Sequence, residues 1–171
     1  GLREVMPIAP PNGQRVAVVG AGPTGLTATH FMAHWGYEVT IFEALPVPGG
    51  MMRVGIPAYR LPRDVLAREI QQVTAIGVDI RCDTEIGRHL TLAELRAGHG
   101  AVVLAPGCCK SDLPNLTGMD LPGVFSGQDF LRRALSDQRQ PPVAATVVVG
   151  GGFTAVDCAR TAVRLGAPRV T

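Results

Sequence analysis

The residues that could do chemistry in this chain are two sets of glycines. Gly20, Gly22 and Gly25 lie in GAGPTG, and Gly150, Gly151 and Gly152 with Ala155 lie in GGGFTA. Gly20 and Gly22 recur as Gly150 and Gly152, and Trp35-Gly36 recurs as Leu165-Gly166, each 130 positions later. Side-chain-free backbone at a strand-to-helix turn binds anions, because the first N–H groups of a helix have no partner within it and carry a partial positive charge. One such fingerprint is weak. Both copies, however, follow a run of buried-strand residues and precede a helical pattern, so the sequence implies two dinucleotides and electron transfer between them.

In the first copy Gly20 permits a tight bend, Gly22 lets backbone approach a diphosphate, and Gly25 lets the helix pack closely on the strand. Glu43 stands eighteen positions after Gly25, at the end of the next strand. An acid there can accept hydrogen bonds from both adenosine ribose hydroxyls, at about 1.5–3 kcal/mol per charged bond, and it repels a 2′-phosphate. This site is therefore expected to take FAD or NAD and not NADP. Pro48-Gly49-Gly50-Met51 brings a second glycine pair to bear soon after the acid, as a longer flavin nucleotide requires, which favours FAD. Met51 and Met52 read more readily as core filler than as a flavin floor. Arg60 is either a solvated charge or a donor to phosphate or flavin oxygen, and composition does not choose between these.

In the second copy Thr154 is a candidate phosphate ligand near the helix N-terminus. Asp157 is placed in the first helical turn, where complementing the helix dipole is the simplest role; holding a neighbouring loop or a nicotinamide amide is the alternative. Residues past the next strand decide NAD against NADP, and these lie beyond Thr171.

The elements that position these residues can be read from spacing. Residues 1–14 read as a linker, because Pro7, Pro10 and Pro11 break any helix. A strand at Val16–Val19, a helix from Pro23 to Trp35 stopped by Gly36, and a strand at Glu38–Phe42 form a βαβ unit of Rossmann type. Ala44–Ala58 is expected to be long and irregular, and a loop of that length is usually functional. A helix then follows Pro62 and ends at Gly77, with a strand at Val78–Arg81. Thr91 with Glu94 makes a capping box, and AVVLA at Ala101–Ala105 is expected as a buried strand. A crossover carries a helix over Gln128–Arg139, and the second copy's strand begins near Ala144. The expected domains are an FAD-binding domain at 15–110, a crossover at 111–142 and the start of an NAD(P)-binding domain at 143–171. Strands alternating with helices mean a parallel α/β sheet.

Bulk properties exclude other classes. Hydrophobic residues are 46% and charged residues 18%, with a net charge of only +2 and no charge blocks, so a nucleic-acid partner is not expected. The apolar runs are too short to span a bilayer, so no membrane role is expected. Cys82, Cys108, Cys109 and Cys158 contain no C-x-x-C pair, so no metal site is expected; they read as buried thiols, with a vicinal disulfide at Cys108-Cys109 the rarer reading. With no secretory signal in the first residues, the cytoplasm is inferred.

GGMMRVGIPAYRLPRDVLAREI at Gly49–Ile70 is far more restrictive than a glycine fingerprint. With LPGVFSGQDFLR and GGGFTAVDCARTAVRLGA, it makes the chain from about Val16 to Thr171 resemble the flavoprotein family of the glutamate synthase small subunit. That family includes the reductase half of dihydropyrimidine dehydrogenase and formate-dehydrogenase-associated proteins. The resemblance implies a tandem dinucleotide-binding flavoprotein, with a Rossmann-like FAD domain and the first βα unit of a Rossmann-like NAD(P) domain. It assigns Gly20, Ala21, Gly22, Pro23 and Thr24 to the FAD pyrophosphate and Glu43 to the ribose. Gly49, Gly50, Met51 and Arg60 then lie along the cofactor, and the backbone near Ile86 lies by the adenine. Gly150, Gly151, Gly152, Phe153, Thr154 and Ala155 correspond to the NAD(P)H site. Hydride is implied to pass from nicotinamide to flavin, and electrons to leave through iron–sulfur clusters in absent segments or in a partner oxidoreductase subunit. Two departures are that Phe153 stands where the family commonly has Asn or Asp, and that Pro106 interrupts a turn often read Ala-Thr-Gly.

The expected activity is thus that of an NAD(P)H-dependent FAD oxidoreductase, present as a fragment not expected to turn over alone. No side chain need act as acid or base, since positioning is the protein's contribution. The alternatives are a disulfide reductase of thioredoxin-reductase type, for which no cysteine pair is suitably spaced, and a non-catalytic nucleotide-binding module of a larger complex.

Overall fold

A computed structural model describes residues 7–108, 110, 111, 113–135 and 145–171. Its backbone divides into two units, Gly1–Arg53 with Arg63–Gly107, and Val54–Pro62 with Cys108–Thr171.

The first unit is a parallel sheet with helices. Arg15–Val19 forms β1, where Val16, Ala17 and Val18 are buried, and Glu38–Phe42 forms β2 beside it in the register Val16 to Val39 and Val18 to Ile41. Asp79–Arg81 forms β3 and Ala101–Leu104 forms β4, giving the order β3-β2-β1-β4 with every pair parallel. Parallel neighbours require crossovers, and these are helical. Pro23–His34 is α1, which begins with a proline whose missing N–H costs nothing there and ends at Trp35 before Gly36 at φ +85°. A Cβ on Gly36 would lie 2.2 Å from the Pro10 carbonyl oxygen. Residues 9–12, within the stretch read as a linker, run along this helix end, with the Ala9 N–H donating to the His34 carbonyl at 2.8 Å and the Asn12 N–H to the Gly36 carbonyl at 2.9 Å.

Met51–Val54 forms a one-turn helix, α2, inside the stretch expected to be irregular throughout. Gly49 and Gly50, at φ +120° and +51°, absorb the bend that frees the following residues to coil. Arg63–Thr74 is α3, burying Leu66, Ile70 and Val73 at helical spacing. Leu92–Gly98 is α4, opened by the expected capping box of Thr91 and Glu94. The buried character expected for AVVLA holds only in part: Ala105 is buried and Val102 packs on the core, but Ala101 is exposed and Leu104 is 61% exposed. β4 pairs with β1 on one side and with no strand on the other among the described residues.

In the second unit Gly127–Leu135 is α5, begun one residue before the expected Gln128 because Ser126 caps it, its hydroxyl accepting from the Asp129 N–H at 3.0 Å. Residues 136–139 of the expected helix and the expected strand start at Ala144 lie outside the described residues. Phe153–Arg164 is α6, which packs on α5; Cys158 Sγ lies 3.5 Å from the Gly127 carbonyl it donates to. Residues 145–150 do not form the expected regular strand. Thr146 makes a single parallel bridge with Val170, its N–H donating to the Arg169 carbonyl at 2.8 Å and the Val148 N–H to the Thr171 carbonyl at 2.8 Å.

Candidate nucleotide-binding turns

The first glycine turn is enforced by close backbone contacts. Gly20 has φ +102°, and a Cβ there would stand 2.3 Å from the Ala105 carbonyl oxygen. A Cβ on Gly25 would stand 1.9 Å from the Gly20 carbonyl oxygen, so the start of α1 folds onto its own turn. Gly22 differs: nothing lies within 4 Å of where its Cβ would be. Gly22 is also the N-cap of α1, with no side chain capping the helix and no acidic residue in its first turn. Pro23 and Thr24 are exposed at this helix start, and Ala21 is fully buried beneath it.

Glu43 is 6% exposed and tied to this turn. Its Oε2 accepts the Ala21 N–H at 2.7 Å and its Oε1 accepts the Leu45 N–H at 2.9 Å. A carboxylate offers about four lone-pair sites, so each oxygen keeps one for a ligand hydroxyl. The Phe42 carbonyl, next to Glu43 at the end of β2, accepts the Gly20 N–H at 2.8 Å. Strand pairing therefore fixes the acid beside the glycines.

The second glycine pair closes on the first. A Cβ on Gly50 would meet Gly22 Cα at 2.8 Å, and the Gly49 N–H donates to the Ala21 carbonyl at 2.8 Å. Gly49 is buried and Met51 half-buried as the first residue of α2. Ile86 is partly buried against Ala17, Phe42 and Leu95. Its segment is tethered at the acid, because the Thr84 N–H donates to the Glu43 carbonyl at 2.8 Å. Gly20, Ala21, Gly22, Gly49 and Gly50 are thus joined by close backbone approaches, and Glu43 to them by its carboxylate.

The second turn repeats the pattern more loosely. Gly150 has φ +137°, and its Cβ would lie 3.4 Å from the Ala155 Cβ, an ordinary contact. Gly151 and Gly152 face open space, and Gly152 caps α6 without a side-chain bond. Phe153 and Thr154 are exposed at the first two helical positions, Phe153 by 82%. The buried acid nearest in sequence, Asp157, lies within α6 and, unlike Glu43, takes its hydrogen bond from a side chain rather than from an N–H of the turn.

Asp157 requires a correction. It is the fifth residue of α6, past the first turn, so complementing the helix dipole is not its role. Its side chain is 5% exposed, and its Oδ2 takes a hydrogen bond from Arg60 Nη1 at 2.6 Å. The Arg60 guanidinium also lies 5.5 Å from the Phe153 ring centre. Within its own unit the Arg60 side chain is thus paired rather than merely solvated, with partners on α6. Sequence spacing could not reveal this pair, which is separated by 97 positions. Sequence reading also passed over Tyr59, whose ring lies 4.6 Å from the Arg160 guanidinium carbon and 4.0 Å from that of Arg164. The arginines' spacing of four on one helix was the available signal.

The profile of the pyridine nucleotide-disulphide oxidoreductases matches residues 11–171. The chain belongs to this family. It is 48% identical to the beta subunit of the NADP(+)-dependent formate dehydrogenase of Moorella thermoacetica, over 93% of the chain and 23% of that protein. It is 34% identical to the small chain of the NADPH glutamate synthase of Escherichia coli K12, over all of the chain and 39% of that protein. The chain therefore spans well under half of these oxidoreductases. Among solved structures, Mycobacterium tuberculosis FprA in complex with NADPH superposes with a TM-score of 0.73 at 25% identity, covering 89% of the chain and 36% of FprA. The Rossmann-like parallel α/β architecture and the suspected kinship with glutamate synthase small chains both stand.

Proposed function

We propose that the chain carries the FAD-binding turn and the NAD(P)H-binding turn of an NAD(P)H-dependent FAD oxidoreductase. One observation carries this reading: two uncapped helix N-termini follow glycine turns with open space at Gly22 and at Gly151-Gly152, and at the first the buried Glu43 accepts the Ala21 N–H of the turn itself. Gly20 to Thr24 would hold the FAD diphosphate on the α1 N-terminus, Glu43 the adenosine ribose, and Gly49 to Met51 the chain beyond it. Ile86 would lie by the adenine. Gly150 to Ala155 would take the NAD(P)H diphosphate. Bound together, the two cofactors supply hydride transfer between nicotinamide and flavin. The chain's own part is to bind and orient them, with the α1 and α6 dipoles and free N–H groups balancing phosphate charge. Support comes from relatives named for NADP(+) and NADPH, and from FprA in complex with NADPH.

The reading extends to a partner. Relatives named as beta subunits of a formate dehydrogenase and of an NADPH-Fe(3+) oxidoreductase support a place beside another subunit, and iron–sulfur clusters there or elsewhere in the protein would take the electrons. Free thiols at Cys82, Cys108 and Cys158 support a cytoplasmic location, and no helix among the described residues is long and apolar enough to cross a membrane.

The test is titration with FAD followed by flavin fluorescence, with ADP and FMN as competitors. ADP should displace FAD and FMN should not. Glu43→Gln should weaken binding roughly tenfold or more, since it turns charged ribose hydrogen bonds into neutral ones. Unchanged affinity in that variant would remove Glu43 from the site, and no FAD binding at all would sink the flavin reading.

A further inference from the structure

Asp157 is a nearly buried carboxylate on the helix proposed to hold a diphosphate. Its Oδ1 has no hydrogen-bond partner, and its Oδ2 depends on Arg60, whose own side chain is 39% exposed. A buried carboxylate one turn inside such a helix opposes an incoming anion unless a cation stays on it. Arg60 sits in a loop, and a half-exposed arginine in a loop loses side-chain freedom to remain in one place. The residue before it supplies the restraint. The Tyr59 ring meets both Arg160 and Arg164, within the range where a guanidinium is attracted to an aromatic ring, and its hydroxyl reaches the Asp157 carbonyl at 3.5 Å. Arg164 Nη1 in turn donates to the Arg160 carbonyl at 3.3 Å, which steadies the arginine against the helix.

We propose that Tyr59 is a positioning residue for the second dinucleotide turn: gripped by Arg160 and Arg164, it keeps Arg60 on Asp157 and so removes that carboxylate's repulsion of a nucleotide diphosphate at the start of α6. The inference rests on the reading of Gly150–Ala155 as an NAD(P)H site.

The experiment measures NADPH binding to the full chain by calorimetry at low salt. Tyr59→Leu should raise the dissociation constant about five- to tenfold, and Tyr59→Phe, which keeps the ring, should stay within about twofold of the parent. In an Asp157→Asn background Tyr59→Leu should have no further effect, because the repelling charge is gone. A purely structural role for Tyr59 would weaken binding equally in both backgrounds, and that result overturns the proposal. The surface pair Arg160→Gln with Arg164→Gln tests the same grip without touching the loop and should reproduce the loss only while Asp157 is present. A parent chain that binds NADPH, with Tyr59→Leu unchanged, overturns this inference alone. A parent that binds neither NADPH nor NADH overturns the nucleotide reading, and the inference with it.

Discussion

At the scale of single residues, burial decides which groups are available for chemistry. Glu43 and Asp157 are both nearly buried acids, yet Glu43 is held by the backbone N–H groups of Ala21 and Leu45 and Asp157 by a guanidinium. The first arrangement leaves lone pairs for a ligand; the second is a charge in need of its counter-ion. Cys158, beside Asp157, is 5% exposed, and loss of water followed by that neighbouring charge pushes its thiol up to about 11. It should resist alkylation at pH 8 in the folded chain while exposed Cys108 reacts, which mass mapping of labelled peptides would show. The folded value lies above the ordinary 9.0, so the thiol's contribution to stability is intact below pH 9 and is lost as pH rises toward 11. Cys158→Ala should flatten that fall by about 2–3 kcal/mol at most, as read from urea unfolding across this window.

At the scale of elements, the two turn-helix copies differ in how closely the helix approaches its own turn. Gly25 stands where α1 touches its own turn, with no room for a Cβ, whereas Ala155 fits against Gly150 at ordinary contact distance. Exchanging the residues should therefore give unequal results. Ala155→Gly should cost on the order of 1 kcal/mol, the ordinary penalty of glycine in a helix. Gly25→Ala should cost more and should also weaken FAD binding, because the Gly20 carbonyl must move and the turn with it. Thermal melts with and without FAD would distinguish these outcomes, and equal losses in the two copies would refute the packing argument. The α4 capping box was fully legible from Thr91 and Glu94, since all its bonds are local. The short α2 was not, because its start depends on the backbone bend at Gly49 and Gly50.

At the scale of the whole molecule, each unit has its own hierarchy of protection. In the first, β1 and β2 have strands on both sides, and Ala17, Val18 and Ile41 are fully buried, while β4 has a strand on one side only among the described residues. Hydrogen exchange should be slowest in β1 and β2 and faster in β4; in the second unit, residues 145–150, joined by one bridge, should exchange faster than the middle of α6. Equal protection across β1 and β4 would contradict this order. The sequence by itself determined the parallel α/β architecture, both glycine turns, Glu43 and the helix stops at Gly36 and Gly77, because each follows from backbone sterics and hydrophobic period acting over a few residues. Only the tertiary structure decided that Glu43 bonds back to Ala21, that Gly50 packs on Gly22, and that Arg60 belongs to Asp157 with Tyr59 held by Arg160 and Arg164. Those contacts join residues between 22 and 105 positions apart (Ala21 to Glu43, Tyr59 to Arg164), and no local pattern encodes which distant charge or ring will close on which.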